Sequence, residues 1–433
     1  MRLTLISHAS VLIGTGNGGP TLWTDPWLFG TAFNDSWSLC PPAVWDPRWL
    51  AGITHVWISH EHPDHFHVRT LKSLPIEFKR RVTLLFQEQP QSPLPRRLRE
   101  LGFQHIVLLA HRRRHSLGSG CFAYCYREGP LNSCLAVGSG DQVVLDVNDA
   151  RLSRRDCRTI HSDLGPPAVI LNQFSLAGYS GEADRDAHLP RRAREVLGHL
   201  SDTHRELQAK VTVPFASFVR FCQSDNDYMN AHANSVGVAE AFMRARGQSV
   251  AVLAPGDTLE VGAPHRSAPA IARLGTARAA CLAAPLGRAP TVPITEIAAA
   301  FHALTAQLHE HYPAVLLRRL RPVRVQIPDL STQVVFSIEQ DRLEEVAGGL
   351  PDLAIHSQPL HFAFAHPFGL QTLGVSARLQ LFRNARNWRR HRILFALNQA
   401  GLPLAPFSAA LHTLSTALPS LLPHLLRRLR DLE

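Results

Sequence analysis

Lysine is nearly absent from this 433-residue sequence: of the 45 basic residues only Lys72, Lys79 and Lys210 are lysine. The formal net charge of +10 is therefore almost wholly an arginine charge. Its members are scattered, apart from Arg112-Arg113-Arg114 and Arg427-Arg428 with Arg430, and no nucleic-acid motif accompanies them. A nucleic-acid partner is not expected; a diffuse positive surface suits an anionic substrate or carrier better. Cysteine patterns are missing as well. The seven cysteines (40, 121, 125, 134, 157, 222 and 281) are odd in number, and no second pair joins Cys121 and Cys125 to complete a zinc ribbon. No Rieske or ferredoxin spacing occurs. Reduced, mostly buried thiols in a cytoplasmic protein are expected. No apolar run approaches the roughly 20 residues that span a bilayer, and Met1 leads straight into strand-like sequence without a charged-then-apolar leader. A soluble chain with no membrane partner is the expectation. With 45% hydrophobic and 18% charged residues, the chain has ample core for a globular protein, and its length calls for two domains.

What is present centres on Ile53-Thr-His-Val-Trp-Ile-Ser-His-Glu-His-Pro-Asp-His-Phe-His67. The apolar run His55 to Ile58 reads as a buried strand with an abrupt polar stop. It delivers His60, His62, Asp64 and His65 within six residues of loop. His60 and His62 alternate as strand side chains do and can converge on one metal, while Asp64 and His65 turn to a second beside it. Pro63 fixes the turn by presetting its own φ and pushing His62 towards an extended conformation. A surface loop merely rich in histidine would not place four ligand-type side chains directly after a buried strand. Near the N-terminus, Leu3 to Ile6, Ser10 to Ile13 and Leu22 to Thr24 read as strands around a glycine-rich turn. His8 lies among them; its first reading is a hydrogen-bonded structural histidine, and its second a position near the metals. Val82 to Phe86 and His105 to Leu109 read as strands flanking a basic helix from Leu94 to Leu101, an alternation that suits a layered α/β sandwich.

The metal stretch resembles the signature of the metallo-β-lactamase (MBL) fold superfamily. Ser7-His-Ala-Ser-Val-Leu-Ile13 and Thr21-Leu-Trp-Thr-Asp-Pro-Trp-Leu28 are similar to its opening hairpin. The run Asp25 to Phe33, with Trp37 and Pro41-Pro42, resembles the branch that contains the MBL part of CMP-N-acetylneuraminate hydroxylase and the MBL-fold diiron hydroxylases. The resemblance covers roughly residues 1 to 262 and implies an αββα sandwich. It places a supporting aspartate at Asp25, near the metal loop that ends in His67. It puts a strand-end metal-bridging carboxylate at Asp149, with Asp146 as the rival. A glutamate, Glu128, falls where related proteins carry a metal-binding histidine. That replacement favours oxygen-preferring metals, iron first, with zinc or manganese as alternatives. Its other reading is a residue that only shapes the turn at Gly129-Pro130. The last ligand of the second metal, a histidine in related proteins, falls on Gln223. His232 and Asp225 are the substitutes, and a three-ligand site is the alternative. Gln173, Ser175 and Tyr179, in a loop after an apolar strand, and Gln223 are candidate substrate contacts.

Residues 191 to 207 read as a polar helix, and Leu253-Ala-Pro-Gly-Asp257 resembles the turn that closes the MBL domain in this branch. The Ala/Pro-rich stretch 263–293 reads as a linker to a smaller α+β domain at 294–433 with a faint sterol-carrier-like pattern. In it Ile294 to His311 reads as a helix, Gln333 to Ile338, Leu353 to Phe364 and Leu373 to Leu381 as strands, and Leu402 to Leu429 as helical. Its last helices are candidates for covering the metal mouth, binding an apolar ligand or forming a homodimer.

Three functions fit. The first is an O₂-using diiron monooxygenase acting on a small or carrier-bound substrate and drawing electrons from an external donor. The second is a hydrolase of an ester, thioester, amide or phosphodiester, in which Asp64 orients the attacking water and Asp149 holds both metals. The third is a binding module with a degenerate site.

Overall fold

The computed structural model of the protein describes residues 1–404 except 17, 90–91, 130, 180–183 and 400–401. The helix expected at Leu402 to Leu429 lies, but for its first three residues, outside them. Two sheets face each other. The first has seven strands in the order Thr258–Glu260, Arg2–Leu5, Val11–Gly14, Thr21–Thr24, His55–Ile58, Thr83–Gln87 and His105–Leu109. The second has six, in the order Val211–Phe215, Val169–Gln173, Gln142–Asn148, Asn132–Ser139, Cys121–Glu128 and Arg114–Gly118.

Side-chain alternation explains how the layers close. Trp57 and Leu85 point into the space between the sheets with Leu5, Val11, Leu135, Val144 and Leu171. Their neighbours Val56, Ile58, Leu84 and Phe86 point outward onto Phe78, Leu94 and Leu98 of the crossover helices Ile76–Arg81 and Leu94–Glu100. The strands Thr21–Thr24 through His105–Leu109 pair in parallel, and the central His55–Ile58 and Thr83–Gln87 are covered on both faces, which is why they read as continuous apolar runs. On the far side, Leu145, Val147 and Ile170 receive Ile160 and Leu207 from the helices Arg154–Leu164 and Arg185–Leu207. The result is an αββα sandwich.

A smaller α+β region follows, with its own core of Phe301, Val325, Phe336, Leu360 and Trp388. Its five-stranded sheet runs Arg342–Glu345, Thr332–Ser337, Val323–Ile327, Leu353–Ala354, Gln380–Leu381. Two expected strands prove to be mainly helix. Only Leu353–Ala354 of the first is strand, and Ser357–Ala365 is helical, burying Leu360, Ala363 and Phe364 at a three-to-four spacing. Likewise Gly369–Ser376 is helical and the strand is confined to Gln380–Leu381. Apolar runs without polar alternation do not separate the two states, and the helical packing won. The stretch read as a linker contains the helix Ala268–Ala283, whose Ala270 and Leu274 pack into the core between the sheets.

The C-terminal region sits on the loops at the mouth of the sandwich. Arg378, nearly buried, clasps the Asp225 carboxylate through Nε at 2.8 and 2.9 Å. Asn226 donates to Ser376 O at 2.8 Å, Tyr228 Oη to Ala377 O at 2.8 Å, and Tyr179 N to Gly374 O at 2.9 Å. Gly178 makes the closest approach: at φ 100°, a Cβ there would stand 2.7 Å from Val375 Cα. Gly178→Ala is therefore expected to loosen this seam, by roughly 1–3 kcal/mol of overpacking cost. Hydrogen exchange of residues 369–376, faster in the variant than in the parent, is the check; unchanged exchange would show that the seam does not depend on this approach.

Candidate metal centre

The strand His55–Ile58 ends between the two sheets, and its polar continuation turns into the gap at their edge. Pro63 sits in that turn, closed by His65 N and Phe66 N donating to His62 O at 3.0 and 2.7 Å. Beneath it lies the buried carboxylate of Asp25, reached after the strand Thr21–Thr24. Its Oδ1 accepts from Ser59 N at 2.8 Å. Its Oδ2 accepts from Ser59 Oγ at 2.7 Å and Asn148 Nδ2 at 2.6 Å, and faces His65 Nδ1 at 2.9 Å. With Nδ1 engaged, His65 turns Nε2 outward, the arrangement by which a supporting carboxylate orients a metal-binding imidazole.

Two groups of ligand-type atoms result, each within 4.8 Å of one another: His60, His65 and Asp149, and His8, Asp64 and His65. His62 adjoins the first, its Nδ1 2.8 Å from His60 Nε2. Burial, then the neighbouring His65, pushes the His60 imidazole down to about 3, and burial beside His60 takes His62 to about 4. Both rings are thus neutral at physiological pH and offer lone pairs, as metal ligation requires. Burial opposes a charge on His65, but Asp64, Asp149 and Asp25 outweigh it and raise its proton affinity well above the ordinary value. Burial likewise opposes ionisation of Asp64, yet His65 and His8 hold its carboxyl well below the usual range. This pocket is a concentrated negative field that a cation would balance.

The donors fit a metal. His65 Nε2 lies 3.2 Å from Asp64 Oδ2 and 3.7 Å from Asp149 Oδ2, without hydrogen-bond alignment to either. His8 Nδ1, Asp64 Oδ1, His65 Nε2 and Asp149 Oδ1 are buried and have no hydrogen-bond partner among the described residues. Buried polar atoms are otherwise almost always paired, so convergent orphans of this kind suit a shared ion. Asp146 belongs to neither group; it is fully buried, its two oxygens have no hydrogen-bond partner among the described residues, and burial plus the Asp25 charge raise its carboxyl well above the usual range.

Other expected residues lie elsewhere. Glu128 belongs to neither group; it is buried at the end of the strand Cys121–Glu128 and its Oε2 accepts from Asn132 Nδ2 at 3.3 Å. His232 ends the 3-10 turn Asp227–Ala231 and is also outside both groups. Asp225 is engaged by Arg378, and Gln223 donates through Nε2 to Asp35 O at 2.8 Å. His67 caps the helix Val68–Ser73 through Nδ1 and stacks on Trp27. Of the expected substrate contacts, Gln173 lines the cavity over the site. Tyr179 and Gln223 do not: Tyr179 packs in an aromatic cluster with Trp27, Trp37 and Tyr228 beside it. His8, whose first reading from sequence was structural and whose second was a position near the metals, stands with Asp64 and His65 in the second group. Its one signal was its place in the opening hairpin.

The cavity, about 60 Å³, has His8, His62, Asp64 and Asp149 on its polar side and Phe33, Trp37, Leu176, Val219 and Val375 on its apolar side. That is room for about four or five waters, and for no extended substrate. Val375 comes from the C-terminal region, as does Gln371, whose Nε2 lies 3.3 Å from His62 Nε2.

Residues 2–124 match the family described as "Beta-lactamase superfamily domain". The sandwich has the metallo-β-lactamase fold. CMP-N-acetylneuraminic acid hydroxylase of Cricetulus griseus is 37% identical over 232 residues, 50% of this chain and 40% of its own. A Mycolicibacterium smegmatis protein named for a Rieske 2Fe-2S iron-sulfur centre is 28% identical over 211 residues, 46% of this chain and 38% of its own. The chain thus spans about two fifths of the length of these curated relatives. Among solved structures, CmlA, a diiron β-hydroxylase from Streptomyces venezuelae, aligns with a TM-score of 0.43 at 17% identity, over 60% of this chain and 54% of that one.

Within the MBL fold, Asp25 is the residue whose loss should be felt first. Asp25→Ala leaves Ser59 N, Asn148 Nδ2 and His65 Nδ1 without their acceptor and is expected to cost about 3–5 kcal/mol, the scale for breaking a buried charged network. Asp25→Asn keeps one acceptor oxygen and should cost less. Urea denaturation of the metal-free forms measures both; equal stability of all three would remove Asp25 from this role.

Proposed function

We propose that this chain is a dinuclear, iron-dependent MBL-fold oxygenase that hydroxylates a small or carrier-bound substrate, with electrons from an external donor. The observation that carries the reading is the pair of buried ligand groups sharing His65 beneath one small, largely apolar cavity. The 37% identity to a hydroxylase over half the chain supports hydroxylation over hydrolysis. His60, His62 and Asp149 would hold the first ion, and Asp64, His65 and Asp149 the second. Glu128 is proposed as a further carboxylate donor to the first. The hairpin end that bears it is docked on the metal loop, Ser133 Oγ donating to Ser59 O at 2.6 Å. When bound, two iron ions would supply redox chemistry with O₂, whereas zinc would supply only Lewis acidity.

The chain's own residues do the rest. Asp25 fixes the orientation of His65, and the neutral His60 and His62 rings present lone pairs without first releasing a proton. Phe33, Trp37, Leu176, Val219 and Val375 give the reacting face an apolar wall, which would limit side reactions at an oxidising site. Gln173 is placed to contact substrate. The seven cysteines are all free, and we propose an external donor as the source of electrons. We further propose that residues 294–433 act as a cover for the site rather than as an independent module. No helix among the described residues is long and apolar enough to cross a membrane.

Protein prepared anaerobically with iron supplied should hold about two metal ions per chain and consume O₂ when a chemical reductant is added. One zinc per chain and no O₂ uptake would overturn the oxygenase in favour of a hydrolase. Glu128→His should shift competitive loading from iron towards zinc, because a neutral imidazole replaces a hard carboxylate. Identical loading of parent and variant would remove Glu128 from the ligand set.

A further inference from the structure

We propose that His8 is the missing protein ligand of the second metal ion, which His8, Asp64, His65 and Asp149 would then hold together. The proposal rests on the dinuclear reading above and adds to it the donor that chain order places elsewhere. A histidine is expected after the strand Val211–Phe215, where the chain offers Gln223, Asp225 and His232. Each of these is accounted for in another way. Gln223 gives its Nε2 to Asp35 O and does not line the cavity over the site, Asp225 is held by Arg378, and His232 ends a 3-10 turn outside both ligand groups.

His8 comes from the opposite direction, from the turn between the strands Arg2–Leu5 and Val11–Gly14. Its ring is 2% exposed. Nε2 lies 3.2 Å from Asp64 Oδ2, Nδ1 is buried without a partner among the described residues, and the ring stands edge-on to His65 at 5.8 Å between centroids. Trp27 and Trp37 wall the ring at 5.7 and 6.3 Å. The turn that presents it is held from both sides. Ile6 N donates to Ser10 O at 2.8 Å, and Ser7 Oγ donates to Trp27 O at 2.6 Å. Ala216 N donates to His8 O at 2.8 Å. That last contact comes from the residue immediately after Phe215, so the His8 turn docks on the segment from which the late histidine would otherwise arise. An imidazole that approaches from this side meets Asp64 and His65 and not His60, which assigns it to the second ion.

The competing role is positioning: His8 could serve only as a hydrogen-bond donor to Asp64. Two variants separate these roles. His8→Ala removes the donor and the ligand; His8→Gln keeps an amide donor for Asp64 but removes the imidazole nitrogen. Metal-free parent, both variants and His232→Ala are titrated anaerobically with Co²⁺. Bound metal is counted by elemental analysis, the cobalt visible spectrum recorded and folding checked by circular dichroism. The expected result is about two ions per chain for the parent and for His232→Ala, and about one for both His8 variants with an altered spectrum, as loss of a ligand implies. Two ions in His8→Gln, with the parent spectrum, would show a positioning role and overturn the proposal. Loss of one ion in His232→Ala with both retained in His8→Gln would assign the ligand to His232 instead. A parent that takes up a single ion would instead overturn the dinuclear reading, and this assignment with it.

Discussion

The Asp25 carboxylate is the point on which the arrangement depends. A charge removed from water is tolerated only when its oxygens are filled with donors, and Asp25 gathers them from Ser59, His65 and Asn148. These residues belong to different parts of the sandwich: the metal loop in the first sheet and the end of Gln142–Asn148 in the second. One anion thus ties the two sheets together at the edge where the ligands emerge. It requires unusual backbone on both sides, with Asp25 at φ 36° and Asn148 at φ 62°. Such conformations persist where the surroundings over-determine them, and here four hydrogen-bonding groups do so.

From that anchor the electrostatics of the site follow. Asp25 fixes His65, and His65 stands between Asp64 and Asp149. Two buried carboxylates, Asp25 and Asp64, and the partly exposed Asp149 surround one imidazole and leave a net negative pocket. Against the cost of burial, that field raises the proton affinity of His65 well above the ordinary imidazole value. The neighbouring imidazoles are driven the other way, His60 by burial and then His65, and His62 by burial and then His60. The pocket is therefore divided into rings that refuse protons and a carboxylate cluster that attracts positive charge, and both halves favour a multivalent cation over water.

How much of this could be read from the chain depends on how local each signal is. His60, His62, Asp64 and His65 fall within six residues after a buried strand, so their convergence follows from strand periodicity and one proline turn. The β-then-α alternation from Thr21 to Leu109 is equally local, and the sandwich with it. Asp149 stood ahead of Asp146 through the family resemblance, and it is Asp149 that joins His60 and His65 in a ligand-type group, a convergence that no spacing reports. His8 was present in the opening hairpin but 52 residues before His60, and nothing in that distance says which way the hairpin turn points. Tyr179 and Gln223 had plausible loop positions yet face the seam with the C-terminal region and the Asp35 carbonyl. In that region the apolar runs around Leu360 and Leu373 lacked a clear period, so tertiary packing decided between strand and helix.

The C-terminal region then bears on chemistry through geometry alone. Val375 closes one wall of the cavity, and Gln371 reaches His62. The helix that carries both is fastened by Arg378 to Asp225, by Asn226 to Ser376 O, by Tyr228 to Ala377 O, and by the close approach of Gly178 to Val375. A cavity of about 60 Å³ under such a wall admits water or a diatomic gas but not an extended substrate. A substrate of any size must therefore enter by displacing this helix or by presenting a narrow end beneath it. The first route spends the Arg378–Asp225 pair and three hydrogen bonds; the second leaves the seam intact and restricts the reacting group to a slender, mostly apolar terminus. The burial of the Arg378–Asp225 contact, in which Nε faces both carboxylate oxygens, favours the second, because separating that pair would leave two charges uncompensated.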